Sequence, residues 1–117
     1  MHNFKNLLVW EKAMVLAKEI YQVTMPFPSE EKFGLIGQMR RAAVSIPSNI
    51  AEGCGRNSKS QLKHFLSISV GSSCELETQI LLARDLEYLS KEEAESMIQK
   101  TIEVRKMIIG FSGSLPD

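Results

Sequence analysis

Apolar residues recur along this chain at helical spacing, in four blocks separated by short polar or proline-rich breaks. The first block runs from about Leu7 to Thr24. Trp10, Ala13, Ala17, Ile20 and Thr24 fall on one stripe, with Met14 and Tyr21 beside it. Val9, Leu16 and Val23 form a second stripe at seven-residue steps. Two stripes are more than one bundle core needs. They predict either a second buried face, hence self-association, or one wide core face. Met25-Pro26-Phe27-Pro28-Ser29 then stops the helix, because two prolines exclude it, and Ser29 is placed to cap the next. Glu30 and Glu31 would lie in that helix's first turn, where carboxylates suit the dipole. Phe33, Ile36, Ala43 and Ile50 continue its apolar face.

The stretch Gln38–Arg56, QMRRAAVSIPSNIAEGCGR, is the least ordinary in the chain. Pro47 removes one helical hydrogen bond and crowds the carbonyl of Ala43, so a kink is expected there. A short strand at Val44–Ile46 is an alternative, but no partner strand is available. Gly53 or Gly55 is expected to end the second helix in the left-handed conformation.

Ser58 and Gln61 have capping-box spacing for a third helix. Its stripe is the cleanest of the four: Leu62, Leu66, Ser69, Ser73, Leu76, Ile80 and Ala83. Ser69, Gly71, Ser72 and Ser73 make its middle thin, which predicts close approach of a neighbouring backbone. Ser90 and Glu93 give a second capping box, with Leu89 and Ala94 placed as a hydrophobic staple. Ala94, Ile98, Thr101, Ile108, Ser112 and Leu115 form the face of the fourth helix. Arg105 interrupts that face and requires a partner or a route to water. Short connections join antiparallel neighbours. The expected architecture is therefore one all-α domain over residues 1–117, an antiparallel up-down-up-down four-helix bundle with its second helix kinked at Pro47.

Composition alters this picture little, and charge alters it more. The formal net charge of the 117 residues is zero, so no overall basic bias announces nucleic acid. The charges are nevertheless polarised. Residues 40–63 carry Arg40, Arg41, Arg56, Lys59 and Lys63 against Glu52 alone, whereas residues 75–103 are predominantly acidic. Such a molecule can attract copies of itself head to tail, or draw an anionic partner to one end. Leu7–Trp10 is apolar but is broken at once by Glu11 and Lys12, unlike a signal peptide, and no stretch approaches the ~20 apolar residues of a membrane span. Cys54 and Cys74 lack metal-site spacing and read as reduced cysteines of a cytoplasmic protein.

No catalytic constellation stands out in the sequence. Ser60-Gln61-Leu62-Lys63 fits a serine–lysine pattern found in penicillin-recognising enzymes, but its companion motifs are missing. Ser60 and Lys63 read better as an exposed first turn, and His64 as a surface residue. No metal, cofactor or catalytic residue is expected. Arg40 and Arg41 point about 100° apart on a helix. One is expected to pair inside the bundle with Glu52, Glu75 or Glu77, locking the second helix onto the third. The other is a candidate phosphate contact, together with Arg56, Lys59 and Lys63. Trp10, Pro47, Gly53, Gly71, Ser73 and Glu75 are the expected structural positions.

Several of these segments together resemble a known family. Leu7–Trp10 (LLVW), Phe27–Glu31 (FPSEE), Gly34–Ala43 (GLIGQMRRAA), Ser45–Gly53 (SIPSNIAEG), Gly55-Arg56 and Gly71–Glu77 (GSSCELE) are similar to the bacterial four-helix proteins first noticed as reading frames within intervening sequences of 23S ribosomal RNA. The resemblance implies a four-helix bundle that forms a homopentameric ring. It also implies kinship with the accessory protein of diversity-generating retroelements, which binds a reverse transcriptase and nucleic acid. Members of that branch tend to be basic, whereas this chain is neutral. The expected function is a non-enzymatic, ring-forming homo-oligomeric scaffold for RNA or an RNA-handling protein such as a reverse transcriptase. The alternative is a protein-only adaptor without nucleic-acid binding.

Overall fold

The computed structural model describes residues 2–116. It contains four α-helices: α1 (Leu8–Thr24), α2 (Leu35–Cys54), α3 (Lys59–Asp85) and α4 (Lys91–Ser114). Single 3₁₀ turns at Phe4–Asn6 and Ser29–Glu31 precede α1 and α2, and among the described residues there is no strand. Val44–Ile46 is helical. The helices pack around a square, α1 on α2, α2 on α3, α3 on α4 and α4 on α1, and enclose one core. The molecule measures 45 × 24 × 20 Å. At about 1.5 Å per residue, α3 alone spans most of that length.

The two stripes of α1 are one face. At about 100° per residue, Val9, Ala13, Leu16, Ala17, Ile20 and Thr24 lie on one continuous arc, and all six are buried. Trp10 and Val23 sit at its edges, half-buried. The Val9–Leu16–Val23 stripe therefore belongs to the core, and the apolar residues of α1 left exposed are Leu8, Met14, Val15 and Tyr21.

The start of α2 departs from expectation. Ser29 makes no cap and lies inside the 3₁₀ turn. The helix begins only at Leu35, whose N–H is taken by Glu31 Oε1 at 3.1 Å, so a carboxylate caps α2 from four residues back. Phe33 falls in the intervening turn and is 88% exposed, not on the core face. From there α2 continues as one helix through Pro47 to Cys54. Nearby side chains serve its backbone: Ser69 Oγ of α3 donates to the Ile46 carbonyl at 2.8 Å, and Asn49 Nδ2 donates to the Ser45 carbonyl at 2.8 Å.

Neither Gly53 nor Gly55 is left-handed; no glycine among the described residues has positive φ, and Gly55 has φ −81°. Gly53 is needed for a different reason. A Cβ there would lie 2.9 Å from Phe65 Cβ and 3.0 Å from Leu62 Cδ1, so its missing side chain lets the end of α2 meet the start of α3. The expected close-approach glycine, Gly71, has nothing within 4 Å and faces outward. The rest of the thin segment does pack: Ser69 and Ser73 are fully buried, as are all the other members of the α3 stripe.

Helix ends account for the remaining turns. Ser58 Oγ accepts from Gln61 N at 3.1 Å, and Ser90 with Glu93 forms a complete capping box. At the end of α3, Glu87 (φ 63°), the one left-handed non-glycine residue among those described, closes a Schellman turn in which Tyr88 N donates to the Ala83 carbonyl at 2.9 Å. Tyr88 then reaches back to the α1–α2 connection, donating its hydroxyl to Glu31 Oε2 at 3.0 Å and packing its ring on Phe27. Arg105, the apparent fault in α4, finds its partners on α3. Its Nε donates to Ser73 Oγ at 2.8 Å, and its Nη2 to Glu77 Oε1 at 2.6 Å.

Candidate interaction face

The five candidate anion-binding residues do not form one cluster. Arg40 and Arg41 stand near the start of α2, and Arg56, Lys59 and Lys63 follow its end, separated by about 20 Å of helix. Arg40 does not pair with Glu52, Glu75 or Glu77. Its Nε donates to Thr24 Oγ1 at 3.0 Å and its Nη2 to the Tyr21 carbonyl at 3.2 Å, while its guanidinium lies 4.6 Å from the Tyr21 ring centroid. It thus satisfies the C-terminal carbonyl end of α1, where a cation is favoured by the helix dipole, and locks α2 onto α1 instead of α3. Nothing in the local sequence distinguishes that acceptor from the three glutamates, because both are reached only through tertiary packing.

At the other end, Arg56 Nη2 bonds Glu52 Oε1 at 3.3 Å, and its guanidinium stacks 4.8 Å from the Phe65 centroid. Lys59 is exposed in the first turn of α3 and Lys63 is half-buried one turn on. His64 is exposed, as its position suggested, edge-on to Phe65. Cys54 is buried and Cys74 exposed, both as free thiols, and burial pushes the Cys54 thiol above its ordinary pKa. Among the described residues no three His, Cys, Asp or Glu side chains converge as a metal site, and no helix is long and apolar enough to cross a membrane.

A more uniformly apolar concavity lies elsewhere, between α1 and α2. Trp10, Met14, Ala17 and Tyr21 line one wall, and Val44, Pro47 and Ala51 the other, enclosing about 580 Å³. Phe4 closes one end, its ring 5.2 Å from Trp10. Lys18, Gln22 and Ser48 form a thin polar rim. At Tyr21 and Val44 the groove runs into a second, more polar hollow lined by Gln38, Arg40, Arg41, Ser45 and Glu75. Arg41 and Glu75 share this hollow, and the ion pairs among the described residues leave both out. Trp10 and Pro47, expected to be structural, thus also shape an open surface. The surplus of apolar residues on α1 is legible in the sequence, but spacing assigns it to Val9, Leu16 and Val23, which belong to the core, and not to Met14 and Tyr21; the opposing Val44 and Ala51 give no signal.

Comparison with known proteins agrees with this architecture. A crystal structure of a protein of unknown function from the S23 ribosomal protein family of Bacteroides thetaiotaomicron superposes with a TM-score of 0.82 at 24% identity, covering 92% of this chain and 100% of that one. At that identity the likeness speaks for the fold alone. No curated protein matches the chain significantly. The family model of the 23S rRNA-intervening sequence protein matches residues 5–110. Nearly the whole chain is covered, and it belongs to the 23S rRNA-intervening sequence protein family.

Proposed function

We propose that this protein is a non-enzymatic cytoplasmic scaffold whose copies assemble into a closed ring. The observation that carries the reading is the α1–α2 groove. Exposed Met14, Tyr21 and Val44, with half-buried Trp10 and buried Pro47 at the floor, form an apolar groove that the subunit's own fold leaves open. Such a surface on a soluble chain marks an interaction site. The charge distribution supports contact between unlike surfaces, because the Arg56–Lys63 end is basic and the Asp85–Glu95 segment acidic. Contacts of that heterologous kind close into rings when the rotation permits. Five subunits are expected from the family resemblance. Light scattering at micromolar concentration should return a mass several times that of the 13.2 kDa chain; a monomer would sink the proposal.

A second reading, RNA binding by the ring, draws on the basic end. Arg56, Lys59 and Lys63 gather at the start of α3, where free backbone N–H groups and the helix dipole also favour an anion. Neutralising all three should then weaken RNA binding similarly across sequences and flatten the salt slope by roughly 0.7–0.9 per lost phosphate contact. A wild-type ring with no affinity for RNA at low salt would leave the protein-only adaptor.

A further inference from the structure

We infer that the α1–α2 groove of one subunit receives Phe33 of the next; this rests on the self-assembly reading above and names its two surfaces. Phe33 has no role in the subunit's own packing. It is 88% exposed, the most exposed of the large apolar side chains among the described residues, and stands in the turn between the Ser29–Glu31 3₁₀ turn and α2. Its one ring contact is polar, with Lys32 Nζ 5.4 Å from the centroid. An aromatic side chain held in water on a short, capped turn is the type of residue that anchors interfaces, where burial of a ring outweighs most other contacts.

The groove fits this occupant in shape, placement and charge. Its walls are apolar and partly aromatic, as a phenyl ring requires. The subunit's own Phe33 does not line the groove: it stands exposed before the start of α2, and about 14 Å of helix separates Leu35 from Val44. A second copy would bring an identical Phe33 to it. The charges around each half are opposite. Lys18 rims the groove, and Arg40 and Arg41 lie where it continues, against Glu75 alone. Phe33 follows Glu30, Glu31 and Lys32, and the Tyr88–Glu31 hydrogen bond places the α3–α4 connection, with Glu87 and the Arg84–Asp85 pair, beside the same turn, so the balance of charge there is acidic. Two acidic ends would repel each other, so the pairing of knob with groove is favoured over a two-fold contact of like surfaces.

Because knob and groove lie on different parts of the subunit, each can be destroyed while the other stays intact. Phe33→Glu removes the knob, and Val44→Glu puts a charge on the groove wall at an exposed helical position. Light scattering on each variant alone should show monomers, with circular dichroism showing unchanged helix content. An equimolar mixture should give one-to-one heterodimers and nothing larger, since each pair retains one intact knob and one intact groove. Even the milder Phe33→Ala should raise the dissociation constant of each contact about 30-fold. If Val44→Glu loses helix content, Met14→Glu takes its place on the opposite wall. Wild-type assembly that survives in either variant, or a mixture that stays monomeric, overturns the knob-in-groove contact while leaving self-assembly standing. A monomeric wild type overturns both.

Discussion

Helix α2 has two neighbours, and it meets them in opposite ways. Against α3 the contact is closed. Gly53 lies under Phe65 and Leu62, Ser69 bonds the Ile46 carbonyl, and Ser45 Oγ lies 2.8 Å from Ser72 Oγ. Against α1 the inner face is packed and Arg40 binds the end of that helix, but along the outer edge of the seam Trp10, Met14 and Tyr21 stand on an open groove. Small residues let two backbones approach until hydroxyls can reach main-chain carbonyls. Bulky side chains at the margin of a seam hold the helices apart at that edge and leave apolar surface facing water. The first arrangement defines the subunit, and the second is available for a partner.

The largest effect should come from filling the closed seam where it also carries charge. Ser73 is fully buried; its hydroxyl donates to the Val70 carbonyl at 2.6 Å and accepts from Arg105 Nε. Ser73→Leu would overpack the core and leave the half-buried Arg105 guanidinium short of a partner. A loss of about 3 kcal/mol or more is expected, measured by urea unfolding. An unchanged midpoint would mean that α3 can rotate Ser73 out of the core.

Glycine gives a sharper test, because the same substitution should have opposite signs at two positions. At Gly53 the added methyl would lie within 3.0 Å of Phe65 Cβ, an atom too close to its own backbone to swing away. Gly53→Ala should cost about 2 kcal/mol, within the range for overpacking. At Gly71 the methyl meets nothing within 4 Å, and alanine is the better helix former. Gly71→Ala should therefore stabilise by about 0.7 kcal/mol. Equal signs in thermal melts of the two variants would refute the contrast between closed and open surfaces.

Gly71 also shows what the sequence could and could not reveal. It lies two positions from both Ser69 and Ser73, about 200° around the helix from each, so spacing alone places it on the far side. Grouping it with the serines confused small size with shared direction. Periodicity served well where one residue set had one partner: the α3 stripe is buried throughout, and the Ser90–Glu93 box forms with both hydrogen bonds. It failed where a long side chain chose between neighbours. Arg105 was expected to need a partner and found Glu77 and Ser73, but Arg40 turned to the end of α1 in place of any glutamate. Phe33 was misplaced because Glu31, not Ser29, caps α2, which moves the start of the helix past it. The groove was least legible, since a surface created by two helices leaves only half its pattern in either.

The smallest effect on the subunit should come from the groove itself, and there the absence of a large effect is informative. Val44 is 41% exposed on the α1–α2 face. Val44→Gln gives up little burial and replaces a β-branched residue with a better helix former. Subunit stability should change by less than about 0.5 kcal/mol, as for surface positions generally. The difference should appear in concentration dependence instead. If wild-type subunits associate through this face, their urea midpoint rises with protein concentration, because assembly stabilises the folded state by mass action. In Val44→Gln that rise should flatten, while the midpoint at the lowest concentration stays at the wild-type value. A variant that loses stability at every concentration would show that Val44 belongs to the core of its own subunit, and the distinction between a sealed and an available side of α2 would fail there.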